Sequence, residues 1–118
     1  MKINDTEFGS ITIDEEYYPY DVLIRLSGEI RKRKKKLSKK YYGTSHIVSL
    51  EEAEFVYEKG SDLLIVGTGQ NGNLQLSPEA ARFFAHKECK VLTEPTPQAI
   101  GTFNHAKGHK IGLFHVTC

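Results

Sequence analysis

Apolar and polar residues alternate with a period of two through the first part of the chain, then change to a helical spacing interrupted by short apolar runs. Phe8, Ile11 and Ile13 fall in one strand-like stretch, and Tyr18-Pro19-Tyr20-Asp21-Val22-Leu23-Ile24-Arg25-Leu26 forms a second. Asp14-Glu15-Glu16 between them reads as a hairpin turn, and Ser27-Gly28 as another. Glu29 to Lys34 predicts a third strand with Ile30 as its one apolar residue. A strand so rich in Lys and Arg belongs at a sheet edge, where charge discourages pairing with another chain. Lys35 to Ser45 reads as an exposed loop.

From residue 49 helices and strands alternate. Ser49-Leu50-Glu51-Glu52 is a capping box, in which the serine hydroxyl and the glutamate three residues later satisfy opposite free amides. Leu50, Ala53, Val56 and Tyr57 share one helix face, and Gly60 is the expected left-handed stop. The run Leu63-Leu64-Ile65-Val66 predicts a strand buried on both faces. Ser77-Pro78-Glu79 starts a second helix, buried through Ala80, Ala81, Phe83, Phe84 and Ala85. Cys89 to Thr93 is the next strand, Thr96-Pro97 opens a helix carrying Ala99, Ile100 and Phe103, and Ile111 to Val116 closes the chain as a strand. Strand–helix–strand alternation with short connections predicts one α/β domain over residues 1–118: a mostly parallel central sheet, helices on its faces, and an added amino-terminal meander.

Composition narrows the class. With 39% hydrophobic and 26% charged residues the chain is neither disordered nor fibrous. Its longest purely apolar run is Leu63 to Val66, too short to span a bilayer, and MKINDTEFGS has no apolar stretch of the secretory kind. Cys89 and Cys118 are too few for a disulfide framework and lack metal-ligand spacing. These features predict a cytoplasmic protein with no membrane, metal or cofactor. Charge is balanced at +1 but unevenly spread. Residues 31–40 hold eight bases (Arg31, Lys32, Arg33, Lys34, Lys35, Lys36, Lys39, Lys40) and no acid, whereas the first 21 residues hold six acids and one lysine. The ribbon is either a solvated edge, a cover for the protein's own acidic segment, or a polyanion site; the solvated edge is the simplest of these.

The candidates for chemistry are few. Gly67-Thr68-Gly69-Gln70-Asn71-Gly72 satisfies G-x-G-x-x-G, with Glu94 downstream. The next helix has its own cap at Ser77-Pro78, so the third glycine does not open it as a dinucleotide site requires. What remains is an amide-rich loop at the carboxyl end of a parallel strand, or a turn that needs glycine's positive φ. His105 and His109 lack a companion ligand. His115 points either into a pocket or into a hydrogen-bonded core, and Asn104 either ties a helix to the sheet or lines a polar cavity. No serine elbow, activated cysteine or carboxylate pair stands out. Tyr41-Tyr42 follows the basic run and offers rings for stacking.

Gly67-Thr68-Gly69 after an apolar strand, the Ser-Pro-Glu helix start, Thr93, Asn104 and the ending Leu113-Phe114-His115-Val116-Thr117-Cys118 together resemble the Mth-nine-three-eight-like domain family, over essentially the whole chain. The resemblance implies a mixed central sheet of five strands with helices on both sides and an extra β-hairpin. It implies a polar cavity built from Gly67, Thr68, Gly69, Thr93, Asn104 and His115, with His46 matching a histidine after the third strand. It brings no established activity, and it includes a mitochondrial complex I assembly factor and an adipogenesis-associated protein. Family members often carry tryptophan and arginine in the third strand, where this chain has Arg31-Lys32-Arg33-Lys34.

Three functions follow as expectations. The leading one is a small binding or assembly module that engages an unidentified protein partner, as a monomer or weak homodimer. The second is a small-ligand binder or enzyme that uses the Gly67–Gly69 loop with Asn104 and His115. The third is salt-sensitive polyanion binding, nucleic acid included, through the basic patch Arg31, Arg33, Lys34, Lys35, Lys36, Lys39 and Lys40.

Overall fold

The computed structural model describes residues 1–118 as ten strands and four helices in one α/β domain. The central sheet has five strands in the order β5-β4-β10-β7-β9, comprising Ile30–Lys32, Val22–Ile24, Lys110–His115, Leu63–Thr68 and Lys90–Glu94. It is mixed: β10, β7 and β9 run parallel, while β4 and β5 join antiparallel at the other edge. β1 (Ile3–Glu7), β2 (Ser10–Ile13) and β3 (Glu16–Tyr18) form a separate antiparallel meander. β6 (Ile47–Val48) and β8 (Gln75–Leu76) make a two-stranded parallel pair.

The period-two pattern of the sheet strands creates two cores. Leu23, Leu64, Val66, Ile111 and Leu113 face Ala53 and Val56 of α2 (Leu50–Val56) and Ala80 and Phe84 of α3 (Pro78–His86). Their neighbours Val22, Ile24, Ile65 and Phe114 face Ala99 and Phe103 of α4 (Thr96–His105) and the isoleucines of the meander. The run Leu63 to Val66 is apolar because both of its faces are covered. Asp14 and Glu15, at φ 50° and 67°, make the β2–β3 turn where it is expected.

Three local expectations need correction, and one strand, β1, is not legible in the sequence. Residues 35–45 are not simply a loop, because Lys36–Tyr42 forms a helix, α1. It lacks a side-chain N-cap and an apolar stripe, and its fixed points are the left-handed Gly43 at φ 69° and the buried Ser38 hydroxyl, whose partners lie on α2 and at its cap. α2 ends at Tyr57, before Gly60, because Tyr57 turns extended and sets its ring against Phe83 and Phe84; Gly60 at φ +98° belongs to the following turn. β1 carries one buried residue, Ile3, so its pattern is silent; the strand is held by Asn104, whose side-chain amide grips both the N–H and the C=O of Ile3 at 2.9 Å. Only half of the capping box forms: Ser49 Oγ accepts from the Glu52 amide at 3.1 Å, but the Ser49 amide donates to Ser38 Oγ and the Glu52 carboxylate turns elsewhere.

Candidate functional site

The Glu52 carboxylate turns toward a polar row at one end of the sheet. Phe114 pairs with Val22, and Val22 pairs with Lys32. One step further along the same registers, His115, Asp21 and Arg33 lie side by side on neighbouring strands. In a pleated sheet such a row shares one face. It sits at the carboxyl end of the parallel strands β10 and β7, where open α/β sheets place their ligands.

Each member of the row is buried and partnered. Asp21 is 1% exposed; its Oδ1 accepts from the Val116 amide at 2.8 Å, and its Oδ2 accepts from Arg33 Nη1 at 3.0 Å and from His115 Nδ1 at 2.8 Å. Lys35 Nζ stands 3.6 Å from Oδ2. Burial works to raise the Asp21 pKa, but the hydrogen bond and charge of His115, the Val116 amide and Lys35 together hold it down to about 2. Arg33 forks onto Glu52, with Nε at 2.6 Å and Nη2 at 3.0 Å, and also donates from Nη2 to the Ser45 carbonyl at 2.7 Å. Burial opposes its charge, while Glu52 and Asp21 more than restore it, so its pKa lies above the ordinary arginine value. Ser38 Oγ donates to Glu52 at 2.5 Å and completes the cluster. Arg33 is therefore no part of a solvated edge: it ties β5 to β4, α2 and the segment after α1.

His115 continues the row toward the chain end. Its Nδ1 donates to ionised Asp21, and its Nε2 lies 3.3 Å from the Thr117 hydroxyl. The His46 ring meets His115 edge to face, with centroids 5.4 Å apart. The arrangement sets the imidazole between a carboxylate and a hydroxyl.

Above this row opens a cavity of about 840 Å³. Pro19 and Tyr20 form one side, Val116 and Thr117 contribute from the chain end, and residues 32–37 with Lys39 form the opposite wall. Six cationic side chains (Lys32, Arg33, Lys34, Lys35, Lys36 and Lys39) line it against one carboxylate, Asp21. Lys32 leans over the Tyr20 ring at 5.3 Å and Lys34 over Phe55 at 4.6 Å. Lys36 and Lys39 are in no ion pair, whereas Arg31 pairs with Glu29 at 3.2 Å and Lys40 with Glu51 at 2.8 Å.

The six pocket residues suggested by family resemblance are not gathered around one space. Gly67 and Gly69 are sites of close approach: a Cβ would lie 2.7 Å from Thr96 Oγ1 at Gly67 and 2.5 Å from the Cys118 carbonyl carbon at Gly69. The loop amides are engaged internally. Gly69 donates to Thr96 Oγ1, Gln70 to the Thr117 carbonyl, Gly72 to the Gly69 carbonyl and Asn73 to the Cys118 carbonyl. Thr68 is buried at the end of β7. Thr93 lies on the edge strand β9, beside a different groove. Asn104 clamps β1, so of its two readings the tie is the one that holds. Of the six, only His115 belongs to the polar row. Asp21, Glu52 and Ser38 are not evident from the sequence as site residues; the one available signal is a lone acid within the apolar run Tyr18 to Leu26.

No helix is long and apolar enough to cross a membrane, and no three His, Cys, Asp or Glu residues are placed to hold a metal ion. Among solved structures, the chain is similar to a conserved hypothetical protein, PH1505, from Pyrococcus horikoshii OT3, at 38% identity and a TM-score of 0.93, covering 100% of both chains. A protein named MT938 is 31% identical with a TM-score of 0.82, covering 99% of this chain and 98% of the other. A Mth938-like domain protein from Bordetella pertussis shares the fold at 15% identity, with a TM-score of 0.61 over 97% of this chain and 84% of its own. A family model described as protein of unknown function (DUF498/DUF598) matches residues 3–113. With that match spanning nearly the whole chain, the protein belongs to the DUF498/DUF598 family, the group of Mth938-like domains.

Proposed function

We propose that the protein binds a small anionic ligand, bearing phosphate or carboxylate groups, in the lysine-walled cavity. The observation that carries this reading is the imbalance at the cavity: Arg33 is neutralised by Asp21 and Glu52 and Lys35 lies against Asp21, which leaves Lys32, Lys34, Lys36 and Lys39 with no carboxylate partner. Lys36 and Lys39 have no internal counter-charge and stand exposed among neighbouring lysines, so their fields add at the cavity mouth. The volume of about 840 Å³ suits a compact ligand. Tyr20 and Pro19 supply a flat side against which a ring can lie.

Titration with inorganic pyrophosphate and with a nucleoside triphosphate tests this reading. A ligand at about 100 times its dissociation constant adds about 2.7 kcal/mol of stability, which for a domain of this size raises the melting midpoint by about 10 °C. Lys36→Glu with Lys39→Glu removes that rise while leaving the far-ultraviolet circular dichroism unchanged. Stabilisation matched by sodium chloride at equal ionic strength would sink the proposal. The protein-partner reading draws on different residues, Phe8 and Tyr17, which are 66% and 63% exposed on the meander. Recovery of the same partner by the wild type, and its loss with Phe8→Ser and Tyr17→Ser, would favour it.

A further inference from the structure

The two edges of the central sheet are unlike. β5 presents Arg31 and Lys32, and self-pairing there would set cations against cations. β9, at the far edge, presents Lys-Val-Leu-Thr-Glu with nothing paired along its outer side. The Lys90 amide donates inward to the Asp62 carbonyl. Main-chain groups alternate along a strand, so residues 90, 92 and 94 face β7, while the N–H and C=O of Val91 and Thr93 point out of the sheet.

We infer that β9 is a homodimerisation edge, pairing antiparallel with β9 of a second copy about a two-fold axis at Leu92. Three observations select the occupant and the register. In this register Val91 and the partner's Thr93 form a hydrogen-bonded pair, and so do Thr93 and the partner's Val91, so every outward main-chain group of the two residues is satisfied. Lys90 then falls opposite the partner's Glu94, and Glu94 opposite the partner's Lys90. The strand is thus self-complementary in charge, as an isologous two-fold contact requires. A shift of the axis to Val91 or Thr93 separates these pairs. Finally, an apolar groove of about 470 Å³ runs beside β9 on its α3 side, lined by Leu74, Leu76, Ala81, Ala85 and Val91. Ala81 and Ala85, contrary to the expected burial, are exposed and small, so α3 leaves room for a strand added at this edge. The partner's Thr93, opposite Val91, lies on the same face as this groove. The lysine-walled cavity is at the other edge of the sheet, so dimerisation leaves it open.

Sedimentation over a concentration series is the test. The wild type is expected to associate reversibly to a dimer. Lys90→Glu or Glu94→Lys, each of which puts like charges opposite one another twice per dimer, is expected to weaken association by about tenfold or more, and the double swap Lys90→Glu/Glu94→Lys to restore it. All three changes lie on an exposed or half-exposed edge, and the thermal midpoint of each variant checks that it is folded. A second variant fixes the register: Lys90→Cys/Glu94→Cys, with Cys89→Ser and Cys118→Ser, is expected to form a disulfide-linked dimer on oxidation, because directly opposed non-hydrogen-bonded positions suit disulfide geometry. A wild type that stays monomeric up to about 100 μM overturns the inference. So does a dimer indifferent to both single charge reversals, or one that the double swap fails to restore.

Discussion

Asp21 and Arg33 carry opposite charges into the protein interior, and that determines what each contributes. Arg33 neutralises two carboxylates, Asp21 and Glu52, at 3.0 and 2.6 Å. Replacing it by alanine leaves Glu52 buried without a cation and Asp21 with Lys35 alone at 3.6 Å, and the expected loss is about 3–5 kcal/mol, read from the midpoint of urea unfolding. The Asp21 pKa, held down to about 2 from 3.8, sets the acid response. A carboxylate with a depressed folded pKa stabilises the native state fully above its unfolded pKa. That contribution, about 2 kcal/mol, fades as pH falls from 3.8 through about 2. Asp21→Asn is expected to lower stability at neutral pH and to flatten the pH dependence in that window, both measurable by denaturant titration at stepped pH.

At the scale of elements, the glycine loop and α1 show how tertiary contacts override local signals. Gly67-Thr68-Gly69 looks on paper like a phosphate cradle, yet the Gly69 amide donates to Thr96 Oγ1 and the amides that follow, of Gln70 and Asn73, serve the chain end. Gly69→Ala combines φ +103° with a Cβ 2.5 Å from Cys118 and 2.8 Å from the His115 ring. The expected cost is at least about 2 kcal/mol, seen as a lower guanidinium midpoint. Because the clash falls on Cys118 and on the His115 ring, the same variant is expected to weaken anion binding as well, whereas Gly101→Ala, where a Cβ meets nothing within 4 Å, is expected to do neither. α1 is the converse case. Its sequence offers no stripe and no cap, and it folds because Ser38 reaches Glu52 and Ser49 at the start of α2.

For the molecule as a whole, charge is arranged in layers. The ribbon at 31–40 is partly used to neutralise the protein's own acids, through Arg33, Lys35 and Lys40, and partly left facing outward, through Lys36 and Lys39. If the outward part binds anions, affinity falls as salt rises, and Lys36→Glu/Lys39→Glu is expected to reduce the slope of log affinity against log salt, measured by calorimetry at three ionic strengths. Arg31→Glu, outside the cavity and paired with Glu29, is expected to leave that slope nearly unchanged.

What the chain reveals by itself is its periodicity. Runs of alternating or continuous apolar residues dictate which segments are strands and which faces they bury, since burial requires apolar residues at the positions that lose water. Hence β2, β4, β7, β9, β10 and the helices α2, α3 and α4 are all legible, along with the acidic β2–β3 turn. Register is not local. That His115, Asp21 and Arg33, remote in sequence, stand in one row follows from how β10, β4 and β5 align, and alignment depends on the packing of both cores. The same holds for Asn104 on β1 and Ser38 beside Glu52: a short polar side chain records nothing in the sequence about which distant backbone or carboxylate it will meet. Composition announces an excess of cations in one segment; only the fold decides which of them are buried as structure and which face a cavity.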